Sequence, residues 1–119
     1  MPPTPHRPET AVVYICTDDA PVGLALCADW CRDLVTAAGL AVAHVVAEPD
    51  PRTAVADRAG WRQVVEWAAS GQVGSVITMN RRMVANSPHE WAHLTAELHA
   101  LGVELRTLTS LSAPRADAA

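Results

Sequence analysis

Val73 to Met79 is a short apolar run, with glycines at its start and the polar turn Asn80-Arg81-Arg82 after it. It is too short and too β-branched for a helix, so it reads as a buried strand. A strand buried on both faces needs helices above and below its sheet, which points to the layered α/β class. Two adjacent arginines at the mouth of such a strand are what an anionic ligand, above all a phosphate, requires. The guanidinium is planar, always charged and able to give paired hydrogen bonds.

The other segments fall into the same alternation. Residues 1–10 are proline-rich without apolar periodicity and read as a disordered tail. Ala11 to Cys16 is a first, continuous strand. Thr17-Asp18-Asp19 follows as a turn in which either aspartate can cap the next helix, with Pro21 in its first turn. That helix runs to about Ala38, with Leu24, Cys27, Cys31, Leu34, Val35 and Ala38 on one face and Gly39 as its stop. Ala41 to Ala47 is a second strand, and Glu48 to Asp57, with Pro49 and Pro51, an exposed loop. A second helix, about Arg58 to Ser70, buries Trp61, Val64, Val65 and Ala68. Ser87-Pro88-His89-Glu90 is a capping box with proline at the first helical position. It opens a third helix with Trp91, Leu94, Leu98 and Leu101 on one stripe. Val103 to Leu108 is the fourth strand, and residues 111–119 fray.

The order βαβαβαβ over residues 11–110, with strands that look buried on both faces, predicts a three-layer α/β domain. Its sheet has four mostly parallel strands joined by right-handed crossovers. In the order 2-1-3-4 the first and third strands are neighbours at the switch point, and their carboxyl ends form the binding crevice. Cys16-Thr17-Asp18-Asp19 then stands beside Asn80-Arg81-Arg82.

Charge narrows the partners. All nine basic residues are arginine and the net charge is −4, which excludes whole-surface binding of nucleic acid but leaves room for a local arginine site. Cys16, Cys27 and Cys31 form no C-x-x-C pair, which suggests a reducing, cytoplasmic setting. No stretch approaches a membrane span, the start lacks the apolar core of a signal peptide, and no cofactor is expected.

Three segments carry a resemblance. The first strand ends in Cys16-Thr17-Asp18-Asp19, the second helix begins with Asp57-Arg58-Ala59-Gly60-Trp61, and the third strand runs into Arg81-Arg82-Met83-Val84-Ala85. With Leu101 to Arg106, these resemble the catalytic domain of the serine recombinases, the resolvase/invertase family, over roughly Ala11 to Thr109. The resemblance implies a resolvase-like fold and a relation to DNA recombination. In that family a serine after the first strand attacks a DNA phosphodiester, and clustered arginines stabilise the charge on phosphorus without a metal. Carried over residue by residue, the serine falls on Cys16 and an arginine two before it on Tyr14. The aspartate of the later motif falls on Arg81, and that motif's second arginine on Ala85. Arg82 and Arg58 fall on family arginines. If Tyr14 is aligned with the family's tyrosine instead, the serine falls on Asp18. On this alignment the chain also stops before the family's long dimerisation helix and its helix-turn-helix.

The expectation is therefore a catalytically inactive binding or regulatory module with Cys16, Arg58 and Arg82 at catalytic-equivalent positions. Arg58, Arg81 and Arg82 would hold phosphate. Its partners would be DNA phosphate, a recombinase or further copies of itself, as a homo-oligomer such as a dimer. The alternative is a cysteine-based phosphoryl-transfer enzyme in which Arg81 or Arg82 lowers the pKa of Cys16.

Other motifs carry less. His89-Glu90-Trp91-Ala92-His93 spells the H-E-x-x-H zinc motif. At about 100° per residue, however, both histidines lie opposite the Trp91/Leu94/Leu98 stripe, and His99 is about 9 Å along the axis from His93. A receiver-type acidic pocket needs a third aspartate where Asn80 and Arg81 stand. A phosphatase loop needs an arginine at Val22. The four tryptophans read as core or edge packing, with Trp67, off the main stripe of its helix, able to mark a partner surface.

Overall fold

A computed structural model of the chain describes residues 9–18 and 20–112. Four strands, β1 (Thr10–Cys16), β2 (Ala41–Glu48), β3 (Ser75–Thr78) and β4 (Glu104–Thr107), alternate with helices α1 (Pro21–Ala37), α2 (Ala59–Ala69) and α3 (Pro88–Ala100). A final short helix, α4, covers Leu108–Ser112. Single 3-10 turns lie at Val55–Asp57 and Arg81–Met83. The sheet order is β2-β1-β3-β4 and every neighbouring pair is parallel, as the alternation of runs predicts. Helices cover both sides, because right-handed crossovers that step first outward to β2 and then inward to β3 must change face.

The core follows this order. β1 and β3 are central, and from Ala11 to Cys16 and Ser75 to Thr78 every residue is buried. β2 and β4 are edges. In β2 the odd-numbered residues are exposed and the even-numbered half-buried, so double-sided burial holds only for the central pair. Alternation is what an edge strand with one covered face should show.

Several local expectations change. The N-cap of α1 is Ala20 and no side chain among the described residues caps it, so Asp18 does not; Asp19 lies outside the described residues. Leu34 and Ala38 are exposed, and the buried stripe of α1 is Ala28, Cys31 and Val35. α2 begins after Arg58, and Val65 is exposed while Trp61, Val64 and Ala68 are buried. Gly39 and Gly71, at φ 92° and 78°, stop α1 and α2 in the left-handed region that favours glycine. The loop after β2 is not uniformly exposed, since Val55 is buried. Leu111 does not fray: it sits in α4 and packs with Leu108 against the core. Of the tails expected at 1–10 and 111–119, residues 1–8 and 113–119 lie outside the described residues, while Thr10 opens β1 and residues 111–112 belong to α4.

Candidate functional site

Tyr14 lies two residues before the end of β1, with its ring edge-on to Trp61 of α2 at 5.1 Å. Glu48 ends β2, in register with Cys16. Tyr14 Oη donates to Glu48 Oε1 at 2.5 Å, and the Gly60 N–H at the start of α2 donates to Glu48 Oε2 at 2.9 Å. One carboxylate therefore joins the ends of two strands to the mouth of a helix.

Arg58 completes this cluster from the residue before α2. Its side chain is buried, and its donors are committed. Nε donates to the Thr53 carbonyl at 2.8 Å and Nη2 to the Pro51 carbonyl at 2.9 Å. Nη1 donates to the Met83 carbonyl at 2.6 Å and to Tyr14 Oη at 3.2 Å. The guanidinium thus ties β1, the loop after β2 and the turn after β3 into one rim. Arg58 bridges neighbours of the two candidate segments, Tyr14 in β1 and the Met83 carbonyl after β3. Its role is that of an internal strut, with little left to offer an external phosphate.

The same environment sets the acid–base state of its neighbours. Burial, reinforced by the hydrogen bond to Glu48, pushes the Tyr14 phenol well above its ordinary range against the pull of Arg58. Tyr14 therefore stays protonated, donating to Glu48 and accepting from Arg58. Cys16 is 2% exposed. Burial raises its thiol pKa, Arg58 partly offsets this, and Glu48 adds to the rise. The cation acting most on the thiol is Arg58, where the sequence suggested Arg81 or Arg82. A buried, protonated thiol is not poised for attack.

Arg81 and Arg82 occupy the 3-10 turn after β3, and both are exposed. The Arg81 guanidinium carbon stands 5.3 Å from the centre of the Trp91 ring, a cation–π contact. Arg82 enters no ion pair among the described residues. Together with Ala85, Asn86, Ser87 and Pro88 the two arginines line a cavity of about 280 Å³ at the start of α3. The capping box is present with one displacement. Ser87 Oγ accepts from the Glu90 N–H at 3.1 Å, but the Glu90 carboxylate takes the Asn86 N–H, at 2.6 Å, in place of the cap residue's own. One negative charge therefore sits at the helix start, held by the Asn86 N–H.

His89 and His93 are exposed, and His93 Nε2 lies 2.6 Å from Glu97 Oε1. Among the described residues no group of three His, Cys, Asp or Glu side chains could hold a metal ion. Trp67 is not a free surface mark: its ring stacks on His44 of β2 at 3.8 Å. Trp30 is not packed but 55% exposed. Thr78 Oγ1, buried at the end of β3, has no hydrogen-bond partner among the described residues. The partnership of Tyr14 with Glu48 escaped the sequence reading. Its signals were a lone tyrosine in an aliphatic strand and an acidic residue closing the next one.

No protein-family model, curated protein or solved structure matches the chain.

Proposed function

We propose that this protein is a resolvase-like, non-catalytic module that touches the phosphate backbone of DNA through Arg81 and Arg82. The observation that carries the reading is the pair of exposed arginines on a turn whose backbone is pinned, through the Met83 carbonyl, by the buried Arg58. A fixed turn presents the two charges without the ordering cost of a flexible loop. It stands at the carboxyl end of the sheet, where the neighbouring β1 and β3 make the crevice expected of open α/β folds. With a net charge of −4 the contact is local and weak.

Catalysis is disfavoured on chemical grounds. The thiol at the nucleophile position is buried and protonated, and the arginine beside it is committed to carbonyls. Losing one donor to a developing oxyanion already costs about 100-fold or more in rate. Fluorescence anisotropy with labelled duplex DNA tests the reading. Binding is expected at low salt only, with a logarithmic salt slope of about −2 for two phosphates. Arg82→Ala is expected to lower that slope by about 1 and weaken all sequences alike. Absence of binding at low salt, or binding indifferent to Arg82→Ala, would overturn the phosphate contact. A covalent adduct with supercoiled plasmid that vanishes in Cys16→Ala would overturn the inactive assignment.

A further inference from the structure

α2 and α3 lie on the same side of the sheet, because the crossovers from β2 to β3 and from β3 to β4 step in the same direction. Between the two helices runs a trough of about 530 Å³. Its floor is apolar: Val55, Trp61 and Leu94 are buried there, and Val65, one turn along α2 from Trp61, is 36% exposed. Its walls are acidic. Glu66 stands on the α2 wall, and Glu90 and Glu97 on the α3 wall, against the single guanidinium of Arg62. Arg62 is tied to the 3-10 turn before α2, its Nε donating to the Ala56 carbonyl at 3.3 Å. Each carboxylate uses one oxygen within the protein. Glu66 accepts from Gln63, Glu90 from the Asn86 N–H, and Glu97 lies against His93. The second oxygen of each accepts no hydrogen bond among the described residues.

We infer that this trough is a docking groove for an amphipathic helix of a partner protein, one with lysine or arginine along both flanks of an apolar ridge. Shape selects the helix. The α3 wall from Glu90 to Glu97 is about 10 Å long, the span of an i, i+4, i+7 ridge. Two helices side by side on a sheet leave a channel into which the ridge of a third can pack. The channel is open along its top, where Val65, Glu66, His93 and Glu97 are exposed, whereas a small-molecule site closes over most of its ligand.

Charge selects the chemistry. Three carboxylates against one guanidinium repel the phosphates of a nucleic acid and attract a cationic flank on either side. The same balance turns away a second copy of this chain, since none of its helices carries a surplus of cations. α1 has Asp29 and Asp33 with Arg32, α2 has Glu66 with Arg62, α3 has Glu90 and Glu97 with no arginine, and α4 has no charge. The net charge of −4 steers a basic partner towards the protein before contact.

Fluorescence anisotropy with a labelled synthetic helix of about 15 residues, built on a leucine ridge with lysine flanks, tests the inference. Binding is expected by ~100 μM. Glu66→Lys and Glu97→Lys should each weaken it ~5-fold, by turning attraction into repulsion. Val65→Lys should weaken it ~10-fold or more, because it sets a cation against the apolar ridge. All three side chains are exposed, so far-UV circular dichroism should stay unchanged. Asp33→Lys, on α1 across the sheet, alters the net charge as much and should shift the affinity less than ~2-fold. No binding by ~1 mM overturns the inference, as does Asp33→Lys weakening binding as much as Glu97→Lys, which would leave only attraction to the net charge. Equal binding of a peptide with glutamate in place of lysine, or of one broken by a central proline, overturns the basic or the helical character of the partner. Self-association of the wild-type chain that Val65→Lys abolishes would give the trough to a second copy and overturn it as well.

Discussion

Arg58 carries a full positive charge in a place where it is 5% exposed, and it enters no ion pair among the described residues. Such a charge is tolerated because its N–H groups are satisfied by three loop carbonyls and a phenol oxygen, the Met83 carbonyl and the phenol being buried contacts. Arg58→Met keeps the volume and removes every donor. It should lower unfolding stability by about 3 kcal/mol or more, since the buried Met83 carbonyl and Tyr14 phenol lose their donor at once with the two loop carbonyls. Arg58→Lys should recover little of this, because one ammonium cannot reach three carbonyls held around a planar fork. Urea denaturation measures both, and a loss under ~1 kcal/mol for Arg58→Met would show that the rim stands without the strut. The sequence marks Arg58 as a cation at the head of a helix, and that place was legible. Its direction was not. Whether a guanidinium points outward to a ligand or inward to carbonyls depends on Pro51, Thr53 and Met83, which nothing in their residue types identifies as acceptors. Tyr14 and Glu48, 34 residues apart, are hidden for the same reason.

At the level of elements, α2 docks on β2 through a close approach at Gly60. A Cβ there would lie 2.6 Å from Glu48 Cδ and 2.7 Å from Val46 Cγ1. The Gly60 N–H also holds the Glu48 carboxylate. Gly60→Ala therefore cannot be absorbed by a side-chain rotation alone, because the Glu48 carboxylate is already fixed by Tyr14. The helix start must move away from the strand, at a cost of about 1–3 kcal/mol, with loss of the near-UV signal of the Tyr14–Trp61 pair. A Gly60→Ala protein as stable as wild type, with that signal intact, would mean that the contact is looser than drawn. Element order and sheet order were readable because runs of 4–8 β-branched residues and helical stripes differ in period and are punctuated by glycine. Faces were less readable. α1 offers two apolar stripes, Ala28/Cys31/Val35 and Val22/Leu26/Trp30/Leu34, and the sequence cannot say which meets the sheet. The smaller side chains won, which allows the helix to sit close to β1 and β2 and leaves the larger ones outside. α4 was missed because five residues are too few to show a period.

For the whole molecule, the composition makes the alkaline range unusually simple to interpret. Every basic side chain beyond histidine is arginine, so no lysine discharges near pH 10, and the chain has one tyrosine and three cysteines. Three of those four groups favour their protonated form when folded. Burial raises Tyr14 and Cys16, and burial with the neighbouring Cys27 pushes Cys31 from 9.0 up to about 11. Below the unfolded thiol value both states hold these protons, and stability is independent of them. Above pH ~9 the unfolded chain releases protons that the native chain retains, so stability falls, by up to about 1.4 kcal/mol per pH unit for each such group. For Cys31 the loss is complete once the folded thiol itself ionises near pH 11. Urea midpoints measured from pH 7 to pH 11 under reducing conditions should be level to about pH 9 and decline beyond it. Cys31→Ala should be less stable at pH 7, because it leaves a cavity, yet show a shallower decline. A midpoint level through pH 11, or a Cys31→Ala slope as steep as wild type, would mean that water reaches these thiols in the folded state. The tight seat of α1 on the sheet, and with it the outward exposure of Val22, Leu26 and Trp30, would then need redrawing.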